Sequence, residues 1–187
     1  LYFASDYFDQ MAEQYGWTES DNIYVTGHSK GGNKAQYVTL MSNHANLVDE
    51  CHSFDGQGFS DEAIQSFKEK YGEEGYQEVL KKMYGYNGAN DYVNPLGNTI
   101  IPKENIKYID TVPNPGSGFD KFAGLHMEEQ MFQRDENGNA SFRRRNRAGS
   151  DGEILSFLIR IFDEFTTGRK RCCCNVCDAV YGIKRCG

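Results

Sequence analysis

Apolar positions change their spacing several times along the 187 residues, and the changes divide the chain into elements. In Ser5–Tyr15 (SDYFDQMAEQY), Tyr7, Phe8, Met11, Ala12 and Tyr15 fall at i, i+1, i+4, i+5 and i+8, which is one face of a helix. Ser5 is placed to cap it and Gly16 to stop it. A β-rich run, Asn22–Thr26 (NIYVT), comes next, and Gly31–Met41 has the composition of a helix. Cys51–Phe54 reads as a short strand ended by the turn residues DGQG. Ser60–Tyr71 reads as a helix capped by Ser60, and Lys81–Tyr86 (KKMYGY) and Ile106–Asp110 (IKYID) as two further strands. Asn137-Gly138, inside FQRDENGNASFRRR, is a hairpin signal. Ser150 then caps a last helix whose stripe of Ile154, Leu155, Phe157, Leu158, Ile161, Phe162 and Phe165 is expected to pack into a core rather than onto a membrane.

Strands and helices alternate from Asn22 to Asp110, the order of an α/β fold with a mostly parallel sheet flanked by helices. The length suits one domain with a sizeable core. Net charge −7 argues against nucleic acid as the main partner, because phosphate binding needs a basic face. The sequence has no run of eighteen apolar residues, so no transmembrane segment is expected. Of six cysteines, five crowd into the last sixteen residues and Cys51 stands apart. That is not the spread of a disulfide framework, and the expected compartment is reducing and cytoplasmic.

One stretch carries chemistry. Gly27-His28-Ser29-Lys30-Gly31 fits G-x-S-x-G, with NIYVT leading in and a helix leading out. A serine on so sharp a strand-to-helix turn needs glycine two positions to either side, where bulkier residues collide. The turn exposes the hydroxyl and aims the helix N-terminus at a developing oxyanion, with the Lys30 N–H as one donor. A glycine-rich phosphate loop or an inert βα turn is the plainer alternative.

A serine nucleophile needs a base and a group to orient that base. Four histidines are available. His28 is inside the elbow, His44 lies in the segment after it, and His52 is in a strand. His126, in FAGLHMEEQ beyond the last strand, occupies the place that the order Ser…Asp…His demands. The acid should follow a strand between Ser29 and His126, which leaves Asp55 in SFDGQG and Asp91 in YGYNGANDYVNPLG. Asp91 is preferred, with Asp55 read as a turn residue and kept as the alternative acid.

With these residues placed, the chain resembles the α/β-hydrolase superfamily, and within it the class 3 lipase-like branch. It is most similar to a bacterial lipase-like family with a GHSKGGN elbow, matched by Gly27–Ala35. Phrases like F-D-G-P-G-F (here Phe54–Phe59) and D-x-V-x-x-L (here Asp91–Leu96) follow, then a histidine before a short hairpin (His126–Phe142). The resemblance implies hydrolysis of a carboxylic ester or related acyl bond by a Ser29–Asp91–His126 triad. It implies a small-molecule ester or lipid substrate and no metal or organic cofactor. Such hydrolases carry several strands before the elbow, including the loop that gives the second oxyanion donor. Residues 1–167 are therefore expected to be the C-terminal portion of a hydrolase domain whose N-terminal strands belong to a longer protein. That missing half would be a partner, and its absence would leave a sheet edge bare.

Residues 168–187 form a Cys-rich basic tail with no counterpart in the family pattern. Cys174, Cys177 and Cys186 offer a zinc-like ligand set, but no second C-x-x-C pair accompanies them, and a tail with labile thiols is the preferred reading. The run Arg143, Arg144, Arg145 and Arg147 is read as a solvated loop rather than a site for an anionic partner. Two rivals to the ester hydrolase remain: a non-catalytic hydrolase-like interaction module, and an acyltransferase or thioesterase.

Overall fold

The computed structural model describes residues 1–111, 118–127, 130–137, 140–143 and 182–186, the last five by their backbone. The expected last helix, Cys172 to Cys177 and Arg144 to Arg147 lie outside the described residues. Two compact units are present. One holds residues 1–87, 93–107 and 182–186; the other holds 88–92 and the described residues from 108 to 143.

Helix α1 (Tyr2–Tyr15) is followed by β1 (Asn22–His28), α2 (Lys30–Met41), β2 (Val48–Phe54), α3 (Asp61–Leu80), β3 (Met83–Gly88) and β4 (Ile106–Ile109). Strands β1 to β4 make a four-strand parallel sheet in the order β4-β3-β2-β1. The sequence expectation of an α/β architecture holds. From β1 to β3 the parallel arrangement follows from α2 and α3, since each helical crossover returns the chain to the same end of the sheet.

Alternation along the strands sorts the two faces of the sheet. Ile23 and Val25 of β1, Cys51 of β2 and Met83 of β3 join Phe8, Ala35, Val38, Leu40, Phe67 and Tyr76 of the helices in one buried cluster. Burial pushes the Cys51 thiol up to about 12, so it behaves as a small apolar side chain. The alternate positions carry polar and aromatic groups. There His52 stacks on Tyr84 (5.1 Å) and Tyr86 (5.8 Å), with Nδ1 3.1 Å from the Tyr86 hydroxyl and Nε2 2.8 Å from Glu50.

Three boundaries differ from the sequence reading. Helix α1 starts at Tyr2, three residues early, and Ser5 is buried inside it instead of capping it. The stripe that packs is Ala4, Phe8 and Ala12, so the helix reaches back one turn to use Ala4, and Tyr15 is left outside, stacked on Trp17. Gly16 does end the helix, in the left-handed conformation (φ 60°). Helix α3 runs past Tyr71 to Leu80, but Gly72 (φ 68°, ψ 166°) breaks it where the sequence signal stops. Finally, the backbone of β7 (Gly182–Cys186), within the segment read as a tail, pairs antiparallel with β1. It covers the edge of β1 that was expected to be bare.

In the second unit, α4 (Gly118–Gly124) precedes a hairpin of β5 (Phe132–Arg134) and β6 (Ala140–Phe142). Phe132 stacks on Phe142 at 5.4 Å across it, as the Asn137-Gly138 signal anticipated. Among the described residues, no helix is long and apolar enough to cross a membrane.

Candidate active site

Strand β1 ends at His28 and α2 begins at Lys30, leaving Ser29 alone on the bend. Its backbone lies at φ 57°, ψ −125°, a region that residues with a Cβ seldom adopt. Such strain persists only where the surroundings over-determine it. Here they do. The Ser29 N–H donates to the Phe54 carbonyl at 2.9 Å, and the Ser29 carbonyl accepts the first helical bond, from Asn33, at 3.2 Å. A Cβ on Gly27 would run into the carbonyl of Gly31 and stand 2.8 Å from the Gly32 nitrogen, so the first turn of α2 folds back against β1 only over a glycine. Ser29 itself is half-buried. As the first residue of α2, Lys30 has no intrahelical acceptor for its N–H, at the positive end of the helix dipole.

The exit of β2 packs beside this bend. Asp55 takes a positive φ of 46° and is 1% exposed, with its carboxylate accepting from Asn94 Nδ2 at 3.1 Å. A positive φ at an aspartate is a turn conformation. Beyond it, a Cβ on Gly56 would press on Gln36 Nε2 and the Gly32 carbonyl carbon, each at 3.1 Å. Asn33 Nδ2 donates to the carbonyls of Gln57 (3.3 Å) and Gly58 (3.1 Å), and Gln36 Nε2 to Ser53 Oγ (3.0 Å). The FDGQGF phrase is thus built to lie against the elbow helix.

Asp91 and His126 meet in the second unit. Asp91 sits in the turn after β3, its N–H bonded to the Gly88 carbonyl, and His126 in the turn after α4, its N–H bonded to the Ala123 carbonyl. Their Nδ1 and Oδ1 atoms are 2.6 Å apart. The Asp91 side chain is sealed from solvent (0% exposed), that of His126 is 14% exposed, and the Tyr92 ring lies 5.5 Å from the imidazole. Against a carboxylate, Nδ1 is the donor, which makes Nε2 the basic nitrogen of the neutral ring.

Two of the other histidines have structural partners: His44 packs on Asp9, and His52 lies between Glu50 and Tyr86. So Asp91 and His126 are brought together. Gly27, His28, Lys30 and Gly31 surround Ser29 in the first unit, and Asp55 follows the adjoining strand. Sequence reasoning missed Asn33, Gln36 and Asn94, although Asn33 stands inside the GHSKGGN phrase.

Residues 2–91 match the model of the Mbeg1-like family. This family is α/β-hydrolase-related, which agrees with the superfamily suggested by the sequence motifs. The matched segment takes in the elbow and ends at Asp91, and His126 lies beyond it. No curated protein and no solved structure matches the chain.

Proposed function

We propose that the chain is a serine hydrolase acting on a carboxylic ester, with Ser29 as nucleophile, His126 as general base and Asp91 as the acid that orients it. The observation that carries this reading is the 2.6 Å pairing of His126 with a carboxylate buried completely on a loop after β3. A buried carboxylate is costly unless paired, and an inert βα turn gives no reason for one. Asp55, the alternative acid, accepts from Asn94 Nδ2 at 3.1 Å.

In the reaction, Ser29 Oγ attacks the ester carbonyl while its proton passes to His126 Nε2. Asp91 holds the tautomer and stabilises the imidazolium. The carbonyl oxygen gathers negative charge against the Lys30 N–H and the α2 dipole. Collapse expels the alcohol, which takes the proton from Nε2, and leaves an acyl group on Ser29. Water, deprotonated by the same imidazole, then releases the acid.

The test is labelling of the 187-residue chain by a fluorophosphonate probe beside Ser29→Ala and His126→Ala. Labelling that is lost in both variants supports the triad. A folded wild-type chain that takes no label makes this a non-catalytic hydrolase-like module, and turnover of a thioester in preference to an oxygen ester moves the chemistry to the thioesterase alternative.

A further inference from the structure

Asn33 sits one turn into α2 and is 1% exposed. Every polar atom of its carboxamide is engaged. Nδ2 reaches the carbonyls of Gln57 and Gly58 at 3.3 and 3.1 Å, and Oδ1 accepts from Lys30 Nζ at 2.8 Å. One side chain therefore joins three things: the helix that begins at Ser29, the residue that follows Ser29, and the loop leaving β2.

The surrounding glycines make this junction stiff. A Cβ on Gly32 would stand 3.0 Å from Gly56 Cα and 3.0 Å from the Gly27 carbonyl oxygen. Backbone thus approaches backbone on two sides of Gly32, and the amide of the next residue, Asn33, ties the same turn to the loop leaving β2. Asparagine is a poor helix former, and a buried amide costs desolvation that an apolar residue of the same size avoids. Its use here has to be repaid by what its bonds hold in place. What they hold is the first turn of α2, the segment that carries the Ser29 strain and the Lys30 N–H.

We propose that Asn33 is the positioning residue of the nucleophile elbow, fixing the Lys30 N–H and Ser29 Oγ relative to the reacting carbonyl. The proposal rests on the reading of Ser29 as nucleophile. Lys30 contributes its main-chain N–H, while its ammonium is a tether to Asn33. A misplacement of about 1 Å can cost about 100-fold in rate, so loosening this turn acts on the chemical step before it acts on binding.

The experiment compares wild type, Asn33→Leu and Asn33→Asp by the rate of fluorophosphonate inactivation over a range of probe concentrations, well below each melting temperature. Hydrogen exchange of peptides spanning residues 27–33 is followed in parallel. Asn33→Asp keeps the volume and the oxygen facing Lys30 but removes the donor to the two carbonyls, so it serves if the leucine variant does not fold. The expected result is a maximal inactivation rate about 10- to 100-fold lower in the Asn33 variants with half-saturation unchanged, and faster exchange in the elbow. A folded Asn33 variant that inactivates at the wild-type rate overturns the proposal; so does a change confined to half-saturation. If wild type takes no label, the serine-hydrolase reading fails on its own account. Exchange then decides the clamp: unchanged exchange in the variants overturns it.

Discussion

The elbow and the Asp91–His126 pair are held by opposite means. Around Ser29 the constraint is backbone against backbone: a glycine at 27 because the first turn of α2 occupies its Cβ position, and a serine N–H bonded to Phe54. The pair lies on two turns, with the Asp91 and His126 N–H groups bonded to the Gly88 and Ala123 carbonyls, and meets through a hydrogen bond between side chains. A site of the first kind fails by unfolding and one of the second kind by losing activity while staying folded. The comparison can be broken by any variant that does the reverse.

Asp91→Asn should have the largest effect. An amide in place of the carboxylate favours the wrong imidazole tautomer with little change of shape, and the corresponding change in a known serine protease costs about 10⁴ in rate. A fall of about that size in hydrolysis of a short-chain ester, with an unaltered circular dichroism spectrum, is expected. A loss of less than tenfold would remove Asp91 from the chemistry.

Gly27→Ala comes next and belongs to the other side of the comparison. The new methyl must push the Gly31 peptide away from β1, and overpacking at a site with no flexible neighbour costs about 3 kcal/mol. Urea unfolding should show the unfolding free energy falling by that amount and the midpoint falling with it. A variant of wild-type stability with weakened activity would mean that the elbow is the softer of the two regions.

The same contrast explains what the sequence disclosed. The elbow was legible because close backbone approach leaves a mark in residue identity: Gly27, Gly32 and Gly56 stand where no side chain fits. Strands β1 to β3 were legible from β-branched and aromatic runs, and Gly72 stopped the helical signal at the place where α3 bends. Asp91 and His126 came from chain order alone, and that order left Asp55 beside Asp91 as an alternative acid. Asn33 and Asn94 gave no such mark, since a buried amide is identified only by the carbonyls and carboxylates that surround it. Strand β7 was hidden because GIKRC pairs through its backbone, and an edge pairing imposes little on composition. The start of α1 was misread because alanine at position 4 is as compatible with a loop as with a packed face.

The smallest effect should come from the far end of α2, where Asp9 of α1 accepts from the Ser42 hydroxyl, from the N–H groups of Asn43 and His44, and from Asn43 Nδ2. Lys70 and Tyr71 close the same terminus through the Leu40 carbonyl, at 2.7 and 2.6 Å. Burial alone would raise the Asp9 pKa, but these hydrogen bonds outweigh it and hold the carboxyl below its ordinary value of 3.8. Because the folded pKa is depressed, the stabilisation is complete above the unfolded value and is lost as pH falls through the folded one. Asp9→Ala should therefore lower stability by about 2 kcal/mol at pH 6, leaving donors around Ser42 unpaired. The gap to wild type should shrink as the pH drops below about 4, where wild type too loses the carboxylate. Chemical unfolding at pH 6, 4 and 3 measures it. The inactivation rate of the folded variant should stay near wild type at pH 6, because the elbow end of α2 is fixed by its own contacts with the exit of β2. A rate that falls with the Asp9 anchor would mean that the elbow borrows its rigidity from the whole helix, and the local account of Ser29 would have to be given up.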